Sequence, residues 1–322
     1  MNIIQRLWNK GFWDSAKAIT RRMSQSVIAR IGDMQAIAAL KKANFEIVFP
    51  IEGNITLAVP RTSYLKYCFG GRRRARQTPE FVARPNKEAL LRYVVYRLFD
   101  SGFLDRSKSV IDIGCWLSDN TIVWSKLLDH GGVVHAIDPS VENINFGKRV
   151  AALNGVTNVN WVHAVCSDRS RVALDFAGAI THAKFVEADN TTSKGMQSTT
   201  LDEVVNRSEH QAISLIHVDV EGFEEKVLRG AEGIIKRDKP VIIYEQHISS
   251  EDTAPIRKFL RDLDYVIFMV NEVPPGCSPD CRNLVAFSRS RPVPDMNAID
   301  GTADGLKDII SAAVGPALLP VD

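Results

Sequence analysis

From about Ser109 onward, short apolar runs alternate with segments whose apolar residues recur at helical spacing. SVIDIG, VVHAID, VNWVHAV, AISLIHVDV and PVIIYEQ are too short for typical helices and are bounded by turn residues, so they read as buried strands. Between several of them, NTIVWSKLLDHG, VENINFGKRVAALNG and FEEKVLRGAEGIIKRD carry the three-and-four spacing of amphipathic helices. Strand, helix, strand repeats predict an α/β fold with a mostly parallel, doubly wound sheet and helices on both faces. In such a sheet a ligand lies beyond the carboxyl ends of the strands, so the residues that end each strand carry the interest.

The flanks follow other patterns. Near the N-terminus Ile3, Ile4, Leu7, Trp8 and Phe12 form one side of an amphipathic helix. Charges interrupt it every few positions, which excludes a signal-peptide core, and it falls short of the roughly 20 apolar residues of a membrane span. Packing against the protein is the expectation, with weak membrane contact as the alternative. FEIVFPIEG and ITLAVP, separated by Gly-Asn, predict a hairpin, and NKEALLRYVVYRLFDSGFL predicts a helix. Arg72, Arg73, Arg74 and Arg76 follow two glycines in a segment read as a solvated loop, with contact to an acidic substrate as its functional alternative. After Ser288 the chain reads as an extension with one docking helix over DIISAAVGPALL. The expected organisation is therefore an N-terminal helical and hairpin extension over 1–86, a catalytic domain over 87–287 and a tail over 288–322.

Composition narrows the function classes. With 45% hydrophobic and 24% charged residues among 322, the chain can bury a substantial core. Forty basic and 38 acidic residues leave a net charge of +2, too little to gather nucleic acid, so no nucleic-acid partner is expected. Five cysteines without paired zinc spacing predict free thiols and a cytoplasmic protein.

The first strand ends in DIGCWLSDNT. Gly114 permits close backbone approach, and the turn into the next helix offers N–H groups to a carboxylate. Asp138 ends the next strand, where a carboxylate accepts both hydroxyls of a ribose. Asp168 follows the third strand and is placed to accept from an adenine amino group. A dinucleotide-type G-x-G-x-x-G is absent, because Gly114 alone occupies the loop.

DIGCWLSDNT and IHVDVEGFEEKVLRGAEGII resemble the two characteristic segments of the FkbM methyltransferases, with TTLDEVV before the second and VIIYEQH after it matching in type and order. The resemblance covers about Lys87 to Phe287. It implies a Rossmann-like class I methyltransferase with a seven-stranded sheet, S-adenosyl-L-methionine as cofactor, and O-methylation of a sugar, glycan or natural-product hydroxyl. The implied cofactor-binding residues are Asp112, Gly114, Cys115, Trp116, Thr121, Asp138, Asn143, Ser167 and Asp168. Ser118 stands where the family carries a second glycine, and Asp138 where glutamate is usual. Those departures keep open a non-catalytic, partner-binding module with a degenerate donor site.

A hydroxyl acceptor must lose a proton. Asp219 and Glu221 of the DVEG turn, with Glu245 and His247 of YEQH, are the candidate catalytic residues. His217 reads as a core histidine. A metal-free site is the expectation, and a divalent cation held by Asp219, Glu245 and His247 is the alternative.

Overall fold

The computed structural model describes residues 46–52, 55–60, 88–177, 184–187, 196–206, 212–247, 252–271, 281–294 and 316–321. The expected N-terminal amphipathic helix and the arginine loop lie outside them. Strands β1 (Glu46–Glu52) and β2 (Ile55–Pro60) pair antiparallel as the hairpin pattern predicts. Helix α1 (Ala89–Asp100) follows. The chain then enters the alternating region: β3 (Ser109–Ile113), α2 (Asp119–Ser125), β4 (Val134–Asp138), α3 (Val141–Leu153) and β5 (Val159–His163).

A small sheet interrupts the alternation. It joins β6 (Val165–Cys166), β7 (Ala173–Ala177), β8 (Lys184–Glu187) and β9 (Met196–Thr199), and leads into α4 (Leu201–Asn206). The main sheet resumes with β10 (Ile213–Val218), α5 (Glu224–Arg229), α6 (Glu232–Asp238), β11 (Val241–His247), α7 (Ala254–Asp262), β12 (Tyr265–Val270), β13 (Cys281–Ser288) and β14 (Leu318–Val321).

The main sheet runs β14-β12-β13-β11-β10-β3-β4-β5. Neighbours from β5 to β11 are parallel, whereas β13 lies antiparallel to both β11 and β12. Every residue of β3, β4 and β10 is buried, as a parallel strand covered on both faces requires. This is the expected Rossmann-like sheet, with one correction: among the described residues it has eight strands rather than seven. The eighth is β14, which pairs antiparallel with β12 through Val270↔Leu318 and Ile267↔Val321. Leu318 and Leu319, expected to end a docking helix, extend as strand, and Pro316 and Ala317 before them are not helical either; residues 308–315 of that segment lie outside the described residues.

Strand alternation separates two apolar layers. Val110, Val134, Leu215, Val241, Ile243 and Val285 face α1, α2 and α3, with Trp124 and Phe146 between. Ile111, Ile137, Ile216, Ile242 and Tyr244 face α4 to α7. FEEKVLRGAEGIIKRD, expected as one helix, breaks between α5 and α6. At the break a Cβ on Gly230 would stand 2.0 Å from the Ser167 carbonyl oxygen, so the glycine lets two backbones touch.

Candidate active site

Cross-strand register places the polar ends of the central strands on one face. Asp112 of β3 stands opposite His217 of β10, and Glu245 of β11 opposite Asn283 of β13. All four are buried and lie on the side covered by α1 to α3.

The loop after β3 is built on its contact with the turn after β10. Gly114 has φ +79, and a Cβ there would lie 1.8 Å from the carbonyl oxygen of Asp219. The glycine is therefore required by backbone contact between two strand ends, over and above any ligand approach. The Asp219 amide in turn donates to Ile113 O at 3.0 Å.

Asp138, at the end of β4, organises the same loop. Its Oδ2 accepts from the Trp116 amide at 3.1 Å, and its Oδ1 from the Ser140 amide at 2.8 Å and Asn143 Nδ2 at 3.0 Å. Burial pushes the Asp138 pKa up, and those N–H donors oppose the shift. Sequence reasoning named Asp138, Trp116 and Asn143 separately, and the structure brings the three together. Cys115 is buried beside them, and burial with the neighbouring Asp138 and Asp112 charges drives its thiol pKa well up, so it is no nucleophile at neutral pH.

Asp112 is engaged twice. Thr121 Oγ1 donates to its Oδ2, and its Oδ1 lies 2.8 Å from His217 Nδ1. Burial disfavours the imidazolium, yet hydrogen bonding to Asp112 and its charge outweigh this and hold His217 up at about 9. Its ring meets Trp124 edge-on at 5.1 Å.

Ser118 sits at φ +61, in the left-handed conformation that glycine adopts freely. Its side chain is fully buried, and its Oγ would lie 2.4 Å from a Cβ on Gly147 of α3. A glycine missing from the loop is thus matched by a glycine in the helix above it.

Ser167 and Asp168 follow β6. Ser167 Oγ donates to Asp168 Oδ1 at 2.9 Å, and the Ser167 amide bonds Thr199 O, which fixes this turn to β9.

The four proton-handling candidates converge at the ends of β10 and β11. Asp219 and Glu245 are hydrogen-bonded to each other, so one of the pair carries a proton. Burial raises both, reinforced at Asp219 by Glu88 and at Glu245 by Asp219. His247 Nε2 lies 3.7 Å from Glu221 Oε2 and 3.9 Å from Glu245 Oε2. The Cys281 sulfur touches Glu245 Oε1. The expectation of free thiols fails at Cys281, which is disulfide-bonded to a cysteine outside the described residues; Cys115 and Cys166 are free.

Residues 112–267 match the family described as methyltransferase FkbM domain. This segment is an FkbM methyltransferase domain. Among solved structures the chain is similar to a methyltransferase FkbM from Methylobacillus flagellatus KT, at 16% identity and TM-score 0.42, covering 60% of this chain and 48% of that one. It therefore spans about half the length of that relative. It is also similar to the O-methyltransferase TomG from Streptomyces achromogenes, solved with S-adenosylmethionine, at 13% identity and TM-score 0.41 over 70% of this chain and 89% of that one. A precorrin-6y C5,15-methyltransferase from Geobacter metallireducens matches at 12% identity and TM-score 0.37, over 61% and 88%. A comparison with curated proteins finds no match.

Sequence reasoning missed several residues that shape the FkbM domain's site. Glu224, at the start of α5, accepts from the Val220 amide at 3.0 Å and the Gly222 amide at 3.0 and 3.2 Å. It thereby holds the turn in which Glu221 and Gly222 both take positive φ, 56° and 95°. Its position in GFE, one residue before a helix's apolar spacing begins, was the available signal. Glu88 accepts from Asn120 Nδ2 at 2.7 Å, while Arg92 reaches Asp119 and Asn120 at 3.2 Å each, joining α1 to the FkbM domain's first helix. Nothing local in NKEALLRY marks those contacts. Asn283 was equally silent, because its role depends on which strand lies beside β13.

Proposed function

We propose that this chain is an S-adenosylmethionine-dependent O-methyltransferase acting on the hydroxyl of a sugar, glycan or natural product. The observation that carries the reading is the backbone contact of Gly114 with Asp219, which joins the loop read as the donor site to the acid and imidazole group at the ends of β10 and β11.

The residues at the donor loop fit the group. Asp138 Oδ2 accepts from the Trp116 amide and has a lone pair left for a ribose hydroxyl. Gly114 keeps the loop low, and Asn143 fixes the carboxylate's orientation. Asp168, which accepts from Ser167 Oγ, is our candidate acceptor for an adenine amino group. Ser118 directs its hydroxyl toward α3, which favours a working donor site over a degenerate one.

When bound, the donor supplies a methyl group on a sulfonium, already a good leaving group, so the protein's work is alignment and proton removal. Glu221 and His247 are partly exposed at 32% and 20% and are reachable by an acceptor. A hydroxyl proton passes to one of these two. The half-buried Asp219 and the buried Glu245, hydrogen-bonded to each other, set the charge beneath them.

Calorimetry with S-adenosylmethionine tests the first half: wild type binds, and Asp138→Ala weakens binding about tenfold or more. Absence of binding at millimolar donor overturns the reading. Labelled donor incubated with a panel of glycans and phenols tests the second half, and a donor-binding protein that labels nothing in the panel or in fractionated extract, yet holds a stable partner, is a binding module instead.

A further inference from the structure

We propose that Glu221, Glu245 and His247, completed by Asn283, bind one divalent cation of the Mn²⁺ or Mg²⁺ type. One ligand atom from each of the first three lies within 4.8 Å of the others. The separations carry the inference. His247 Nε2 stands 3.7 Å from one carboxylate oxygen and 3.9 Å from another, too far for hydrogen bonds. Atoms bound about 2.0–2.2 Å from one shared cation lie roughly 3–4 Å from one another, which is the spacing of His247 Nε2 from both carboxylates.

Asn283 is an independent sign. It is 2% exposed, and its Oδ1 has no hydrogen-bond partner among the described residues. Register places it directly opposite Glu245, on the same sheet face. The strand neighbours on that face confirm the placement, since Cys281, two residues earlier, touches Glu245. A buried amide oxygen without a donor costs free energy unless something positive meets it. Two carboxylates, an amide oxygen and one imidazole form an oxygen-rich donor set suited to Mn²⁺ or Mg²⁺, with water completing the shell.

The set differs from the one that strand-end order points to. Asp219 turns to hydrogen-bond Glu245, and Glu221, lifted by its positive φ, takes its place. A cation there would occupy the lone pairs by which Glu221 and His247 otherwise take the hydroxyl proton, and would instead lower the pKa of an acceptor hydroxyl bound to it. That use rests on the methyl-transfer reading, whereas cation binding does not.

The test uses Mn²⁺ alone with the full chain, followed by electron paramagnetic resonance. The expected result is uptake of one equivalent, displaced by excess Mg²⁺, and weakened about tenfold or more in Glu221→Gln and His247→Ala. Both residues are partly exposed, so the variants should keep the wild-type melting temperature. Asn283→Leu, which removes the oxygen and keeps the volume, should weaken uptake by a smaller factor. No uptake at millimolar Mn²⁺, or equal uptake in all variants, overturns the site. Donor calorimetry without metal runs beside it: donor binding without Mn²⁺ uptake removes the cation and leaves methyl transfer, and the reverse removes methyl transfer and leaves the cation.

Discussion

The carbonyl oxygen of Asp219 fills the space that a Cβ on Gly114 would need. A side chain at 114 would have to displace backbone, which cannot swing aside as a rotamer does. Gly114→Ala is expected to cost more than about 3 kcal/mol, since it adds a positive φ penalty to the clash. Urea denaturation measures it. Unchanged stability with lost donor binding would show that the glycine serves ligand approach alone.

Glu224 holds the DVEG turn by accepting from two backbone N–H groups, that of Gly222 shared between both carboxylate oxygens. Glu224→Ala leaves two partly buried amides without their acceptor and should destabilise by about 1–3 kcal/mol. Glu224→Gln keeps one acceptor oxygen and should lose less. Chemical denaturation ranks the two, and equal losses would remove the capping role.

His217 predicts a pH dependence whose sign is fixed. Its pKa rises from an ordinary 6.5 to about 9 on folding, so the ion pair with Asp112 contributes fully below about 6.5 and is lost as pH rises through 9. The loss is on the order of 3 kcal/mol at most. Denaturation between pH 6 and 10 should show wild-type stability falling toward the alkaline end, and His217→Gln should flatten the fall. A parallel decline in both proteins would place the effect elsewhere.

Ser118 and Gly147 exchange bulk across the loop. Ser118→Gly should change donor affinity less than about threefold, because the hydroxyl is buried toward α3. Gly147→Ala meets both Ser118 Oγ at 2.4 Å and the Trp161 ring at 2.3 Å, and should cost about 1–3 kcal/mol of stability. Thermal melts and calorimetry separate the two outcomes. A large gain in donor affinity for Ser118→Gly would mean that the serine obstructs the site.

Much of this molecule was readable along the chain. The parallel strands announce themselves as short unbroken apolar runs because both faces are covered, and Asp112, Asp138, Asp219 and Glu245 are legible as the polar residues near or at their ends. What the sequence hides depends on contact between distant segments. Glu88 reaches Asn120, and Asn283 stands beside Glu245, only because α1 crosses the sheet and β13 inserts antiparallel between β11 and β12. The break at Gly230 was hidden likewise, since an isolated glycine in a helical pattern is ordinary until another backbone presses on it. Cys281 escaped because spacing alone does not name a disulfide partner.

Strand β14 also settles how the sheet meets its surroundings. An outermost strand presents unpaired backbone groups to which another chain can add. Among the described residues that position carries Leu-Leu-Pro-Val, and Pro320, opposite Phe268, has no N–H to offer a further neighbour. The fold thus carries its own terminator against open-ended growth by strand addition along the β12 flank.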